Sequence, residues 1–480
     1  MTIDMHLKDS NLDKNIKPVK VVKRKREKVP LTEEQKRKRK KKTKIIVIVI
    51  FILTLLGLGF LIYKGYIFSK NFGFSFNDTS FFSPEKKELK KDSSGRFTNV
   101  LLIGFDTREN GGLLNTDTII LASYDHENNN VILLSIPRDF HVEEFDNMNW
   151  FAKINSIYSS AEGTEKGLGI VALREAVERV TNKEIQYHAM VDFKAFVDIV
   201  DSLGGVDINV ENSFTDYMYP NGYGYKTVSF KAGPQTMDGE TALIYSRSRH
   251  SMHNNEGSDF ARARRQQNVI TALNTKLMSD ESLKNPKALM GILTSVIGNI
   301  TLSEFTISDI EAAVELLKKY EKEQGKIYSF VLDPTIGNYS LVETKSMLDG
   351  AYAIAPKLDF GEYEDIHTFL SLAYDYPQIY SEKARILVYN SGLGYTKSQE
   401  KTEELLEKFP FLNIRFSGTL YQDKEGIIVY TKEDNPSETA QKLAQILDAT
   451  STEKPEFITN NLNGEDVTIL LGKNIELIEE

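Results

Sequence analysis

The chain has 480 residues, 41% of them hydrophobic, and a formal net charge of −9, so it can bury a substantial core in more than one domain. It contains no cysteine, which excludes disulfides, thiolate metal sites and a cysteine nucleophile. The charge is uneven, because residues 1–44 carry 17 Lys and Arg against 6 Asp and Glu.

That basic stretch is predicted to be a disordered tail, since like charges repel and few apolar residues are present to collapse it. Next comes the uncharged run "IIVIVIFILTLLGLGFLIY", residues 45–63, which as a helix would span roughly 28 Å, close to the hydrocarbon thickness of a bilayer. A single transmembrane helix is expected there. The "KGYIFSK" behind it lacks a small-residue cleavage site, which predicts an uncleaved signal-anchor with the basic tail cytoplasmic and residues 64–480 extracytoplasmic. Nucleic acid is an unexpected partner for such a protein.

Residues 64–96 read as a stalk. From there "FTNVLLIGFDT", "DTIILASYDH" and "NVILLSIPRD" are β-branched, apolar runs between turn residues and are predicted to be core strands. "IQYHAMVDF" and "VDINVEN" are further strands, interleaved with "LGIVALREAVERV" and "FKAFVDIVDSLGG", whose apolar residues recur at helical spacing. A short helix is expected in "DGETALIYSRSR" and a long one in "SDFARARRQQNVITALNTKLM", with Ser258 or Asp259 as its N-cap. Helices near 286–299 and 308–321 and a strand in "KIYSFVLD" complete a domain over 97–341. The fold class is α/β, a central mixed sheet sandwiched by helices. After a linker or helical segment at 342–383, a smaller α/β domain is expected over 384–480.

Three predicted strand ends carry charge: Asp106, Asp117, and Arg138 with Asp139. Ligands of α/β sheets bind at such ends. The stretch "RSRHSMHNNEGSDFARARRQQ" then places five arginines between Arg247 and Arg265 with no lysine. On a helix Arg262 and Gln266 share a face with Arg265 alongside, while Arg264 falls away toward solvent. A guanidinium offers a planar fork of donors matched to phosphate or carboxylate oxygens. The bland alternative is a salt-bridged helix surface. His250 and His253 have metal-ligand spacing without an evident third ligand and read as loop histidines. Hydrolase elbows, HExxH, P-loop and GxGxxG patterns are absent. Carboxylates plus arginines remain, which suit metal-assisted chemistry on phosphate.

The ordered motifs "NVLLIGFDTR", "TDTIIL", "LLSIPRDF", "KIN", "VDSLGGVDINV", "MDGETALIYSRSR" and "DFARARRQQNVI" resemble the LytR-CpsA-Psr family of Gram-positive cell-envelope proteins, and "RILVYNSG" with "DVTILLGK" resembles the small C-terminal LytR-type domain of some members. The resemblance implies a phosphotransferase that moves a glycopolymer, such as teichoic acid or capsule, from undecaprenyl pyrophosphate to peptidoglycan through a phosphodiester. By position, Asp106 and Asp117 would hold Mg²⁺, or Mn²⁺ in its place. Arg138, Lys153, Arg247, Arg249, Arg262 and Gln266 would bind the pyrophosphate, with Arg138 and Arg262 also catalytic. Asn115 stands where many members have an arginine, a contact that Arg108 could replace. The prenyl chain needs an apolar slot, which "IVALREAVERV" and "FKAFVDIVDSL" are candidates to line. A lipid pyrophosphate hydrolase and a non-catalytic regulator or transcriptional attenuator are the alternatives.

Overall fold

A computed structural model describes residues 88–475 apart from 106–114, 144–150, 223, 280–299, 303–306, 334–339, 347–351, 421–422, 432–436, 457 and 459–463. These residues belong to one compact unit, Ile67–Glu480. The predicted membrane span at 45–63 and the helix near 286–299 lie outside the described residues. Among the described residues no helix is long and apolar enough to cross a membrane.

The central sheet has six strands: β1 (Phe97–Phe105), β2 (Thr116–Asp125), β3 (Asn130–Ser135), β4 (Tyr187–Asp192), β5 (Ile300–Leu302) and β6 (Ile327–Val331), in the order β5-β4-β1-β2-β3-β6. It is mixed, as expected. β1 pairs antiparallel with β2 and parallel with β4, β2 pairs antiparallel with β3, and β3 runs parallel to β6. β1 and β3 therefore point the same way, and their C-terminal ends meet the start of β2 at one edge. "VDINVEN" is a strand too, but it pairs with Gly233–Met237 outside this sheet.

Side chains alternate between the two faces of a strand, and this alternation separates two environments. Leu101, Ile103, Ile119, Leu121, Ile132 and Leu134 pack into the main core with Ala172, Leu173, Ala176 and Val177 of the helix Leu168–Thr181. The opposite face is covered by three helices, α1 (Phe193–Ser202), α2 (Gly239–Arg247) and α3 (Asp259–Ser279). Buried Gln267 of α3 ties the helix down, donating from Nε2 to Ser135 Oγ at 2.9 Å and to the Phe330 carbonyl at 2.7 Å. The glycine pair after α1 takes positive φ, 74° at Gly204 and 91° at Gly205, conformations that cost a side-chain-bearing residue and stop the helix there.

Residues 385–471 form a second sheet of four strands, Asn413–Thr419, Arg385–Asn390, Val467–Leu471 and Ile427–Thr431 in spatial order. Its inner residues Ile386, Val388 and Ile469 join the same buried cluster as Leu101 and Leu134, through Phe369, Tyr374 and Tyr380. Arg96, just before β1, reinforces this junction. It donates to Asp125 at 2.8 Å, to Asp375 at 2.7 Å and to the Tyr374 carbonyl at 3.2 Å.

Candidate active site

The site lies at the edge where β1 and β3 end and β2 begins. β1 stops at Phe105, so Asp106 follows it directly, but Asp106 and Arg108 lie outside the described residues. Asn115 is exposed just before β2. Asp117, the second residue of β2, receives Arg138 Nη1 at 2.9 Å.

Arg138 and Asp139 leave β3 side by side. Lys153 follows the short ladder His141–Glu143/Phe151–Lys153 back to the same place, its Nζ 2.7 Å from Asp139 Oδ1. The head of α3 supplies the rest. Ser258 caps the helix, its Oγ accepting the Ala261 N–H at 3.1 Å, which leaves the Asp259 carboxylate free to face the sheet. Asp259 lies 3.1 Å from Arg262 Nη1 and 4.0 Å from Arg138 Nε. Arg262 Nη2 also reaches the Asp117 carbonyl at 3.5 Å.

Three cations, Arg138, Lys153 and Arg262, and three carboxyls, Asp117, Asp139 and Asp259, are thus interleaved in a half-dry pocket, and their ionisation diverges. Burial opposes the charge on Arg138, but Asp117, Asp259 and Asp139 outweigh it and push its pKa up. Burial likewise works against ionised Asp139, yet the hydrogen bonds from Lys153 and Asp259 and the charge of Arg138 hold its carboxyl below the usual range. Asp259 goes the other way, raised by burial and by Asp139 despite Arg262 and Arg138. The two carboxyls share a hydrogen bond, with the proton favoured on Asp259. Arg262 is 8% exposed at its side chain, burial pulls its pKa down, and its Nε has no hydrogen-bond partner. A buried cation with an unfilled donor is suited to an incoming anion.

Gln266, one turn beyond Arg262, donates to Thr118 Oγ1 at 2.8 Å. Thr118 fits because its β1 neighbour is Gly104, where a Cβ would lie only 2.9 Å from Thr118 Cβ. Arg247, the last residue of α2, lies over the Phe193 ring at 3.8 Å and reaches the Tyr219 hydroxyl at 3.4 Å. Both Arg247 and Gln266 border an apolar cavity of about 210 Å³ between the sheet and the three helices, walled by Leu102, Ile120, Phe196, Ile199, Val269 and Leu273. Leu102 and Ile120 are cross-strand partners on the face away from the main core. "FKAFVDIVDSL" therefore lines this cavity, whereas no residue of "IVALREAVERV" does, because that helix covers the other face of the sheet.

Two expectations from helical spacing divide. Arg264 is exposed, as its position predicts. Arg265 does not share the Arg262 site: it is buried beside Glu256, with Nε donating to the Tyr245 carbonyl at 3.0 Å and further bonds to the Ser248 and Glu256 carbonyls, clamping the loop between α2 and α3. The Arg249 and His250 backbone N–H groups donate to buried Asp216 at 3.0 and 3.3 Å. Among the described residues no three His, Asp or Glu side chains are grouped to hold a metal. Asp117 nonetheless fits a hard cation chemically. It is an oxygen donor, 34% exposed at its side chain, and Mg²⁺ is commonly held by one or two carboxylates plus substrate phosphate.

Relatives share part of this chain. "Cell wall biosynthesis protein LcpA" of Corynebacterium glutamicum is 27% identical over 244 residues, covering 43% of this chain and 45% of that protein. "Regulatory protein MsrR" of Staphylococcus aureus is 30% identical over 199 residues, covering 41% and 54%. The chain spans about half the length of the curated relatives it matches. Among solved structures it is similar to B. subtilis TagV, with a TM-score of 0.45 at 24% identity over 61% of this chain and 99% of that one. The LytR_cpsA_psr family model matches residues 69–352, a stretch that holds the sheet, the arginines and the carboxylates described here, and the protein belongs to that family.

Proposed function

We propose that the chain is a membrane-anchored phosphotransferase that moves a glycopolymer from undecaprenyl pyrophosphate to peptidoglycan. The observation that carries this reading is that Gln266, one turn beyond Arg262 on the same helix, also borders the apolar cavity, whose rim carries a further guanidinium in Arg247. A donor with an anionic head and a long isoprenoid tail needs that combination.

In this mechanism Arg138, Arg262, Arg247 and Arg249 hold the pyrophosphate, and Lys153 keeps Asp139 ionised and oriented. An acceptor hydroxyl attacks the phosphorus that bears the glycan. The new P–O bond forms as the bridging P–O bond breaks, and undecaprenyl phosphate leaves with the electron pair. Arginine donors fixed before the reaction stabilise the charge that moves onto the leaving oxygen. The hydroxyl proton passes to the Asp139–Asp259 pair, which already shares one. Mg²⁺ held by Asp117, with Asp106, would neutralise charge on the phosphates.

The test is incubation of the full chain with lipid-linked glycan donors and peptidoglycan, followed by analysis of wall-bound polymer and released lipid. Wall-linked polymer plus undecaprenyl phosphate is expected. Release of free polymer phosphate alone would identify a hydrolase, and no turnover with any donor would leave a non-catalytic regulator; either result sinks the proposal.

A further inference from the structure

The hairpin Phe214–Asn221/Gly224–Phe230 pairs with none of the larger sheets and stands between α1 and α2 in sequence. Its register slips between Asp216 and Tyr219, so Tyr217 and Met218 form a bulge, a device that re-aims side chains. Tyr219 turns inward and is buried, whereas Tyr217 is 57% exposed, Met218 47% and Tyr225 66%. Met252, in the loop that meets this hairpin through the Asp216–Ser251 bridge, is 93% exposed. These four belong to the six large hydrophobic residues exposed among the described residues.

Charge sharpens the pattern. In an acidic protein, the segment Tyr217–Lys226 and the loop Arg249–Asn255 contain no Asp or Glu and carry Lys226 and Arg249, while the flanking Asp216 and Glu256 are buried. Tyrosine and methionine beside cations suit the headgroup boundary of an anionic bilayer, where an amphipathic ring keeps its hydroxyl in water and its body in the apolar layer. A sugar-binding surface would want hydrogen-bonding side chains where the two methionines stand. The patch is also continuous with the cavity: inward-facing Tyr219 contacts Arg247, and Arg247 with Phe193 borders the cavity wall.

From this placement we infer that the hairpin and the Met252 loop are a bilayer-docking surface, which seats the cavity mouth on the lipid surface so that an isoprenoid enters without crossing water. The inference rests on the reading of the donor as lipid-linked. It predicts contact with anionic lipid even when no donor is present.

The absence of cysteine makes the test direct. Met218→Cys, Tyr225→Cys and Met252→Cys, with Glu400→Cys on an exposed helix as the solvent reference, each carry an environment-sensitive fluorophore in the full chain, reconstituted in donor-free phosphatidylglycerol and phosphatidylcholine vesicles. Labels at 218, 225 and 252 should be quenched by doxyl-labelled lipid and protected from iodide, with the reverse at 400. Iodide quenching at all four positions overturns the inference. Protection from both quenchers marks burial against protein, within this copy or against a second one, and overturns it as well. In turnover, the double variant Met218→Ser, Tyr225→Ser should raise KM several-fold for a donor in vesicles and leave KM for the same donor in detergent unchanged; equal effects in both overturn it. Because the labelled vesicles hold no donor, lipid contact can succeed or fail independently of the transferase reading.

Discussion

Asp259 and Arg262 stand one helical turn apart at the head of α3, with Oδ1 and Nη1 separated by 3.1 Å. The carboxyl that orients this arginine also shares a proton with Asp139, so charge at the anion site and charge on the carboxyl pair are linked. Asp259→Asn keeps a donor for Asp139 and removes the titration. The raised Asp259 contributes stability that is fully present below the ordinary aspartate pKa and is lost as pH rises through its higher folded value. The melting temperature of wild type minus that of the variant should therefore fall as pH rises across this range; a constant difference would show that the proton is not shared.

Arg262→Ala and Arg247→Ala each remove a preorganised donor, a loss on the order of 10²–10³ in rate for groups of this kind. Arg264→Ala, on the exposed face of the same helix, should turn over as wild type. Steady-state kinetics of the three folded variants on a lipid-pyrophosphate glycan separates site from surface, and normal transfer by both Arg247→Ala and Arg262→Ala would abolish the assignment.

Arg265→Ala should fail differently. It leaves Glu256 as a buried carboxylate without its cation and three carbonyls without their donor, a change that costs roughly 3–5 kcal/mol in comparable buried pairs. Urea denaturation should show this loss. A variant as stable as wild type would mean that the clamp does not hold the loop.

Asp117→Ala frees Arg138 from its 2.9 Å partner and removes an oxygen donor. Activity should drop and return in part with excess Mg²⁺, whereas the Arg262→Ala deficit should not respond. A Mg²⁺ titration of both variants decides between a metal role for Asp117 and a purely ion-pairing one.

Leu273→Trp fills the cavity from α3. Excluding even two methylenes of a bound chain would weaken long-tail donors roughly tenfold, while donors with a short prenyl tail should be unaffected. Equal KM changes for both tail lengths would place the isoprenoid elsewhere.

Much of this was legible in sequence for physical reasons. β-branched runs such as "NVILLS" become strands because both faces of the sheet are covered, and the i, i+4 spacing brings Arg262 and Gln266 onto one face. Asp259 was readable only as a capping candidate, because the residue types that cap helices are those that serve sites. Arg265 looked like Arg262 because its role depends on the Tyr245 and Ser248 carbonyls and on Glu256, placed by a loop whose path no periodicity reveals. The helix Ile154–Thr164 escaped the pattern because four of its eleven residues are Ser or Gly, poor helix formers that tertiary packing overrides.

The clasp of Arg96 has a consequence in time. Its partner Asp375 lies 279 residues further along the chain, and the core beside it is completed by strands that begin only at Arg385. A chain emerging from its N-terminus therefore leaves the Arg96 end of β1, where Phe97 meets the Tyr374 ring, without its partners until nearly four-fifths of the polypeptide has appeared. During that interval the apolar surface that Phe369, Tyr374 and Tyr380 will cover is open to water, so a chain truncated before residue 375 is expected to be cleaved by protease faster than the full chain.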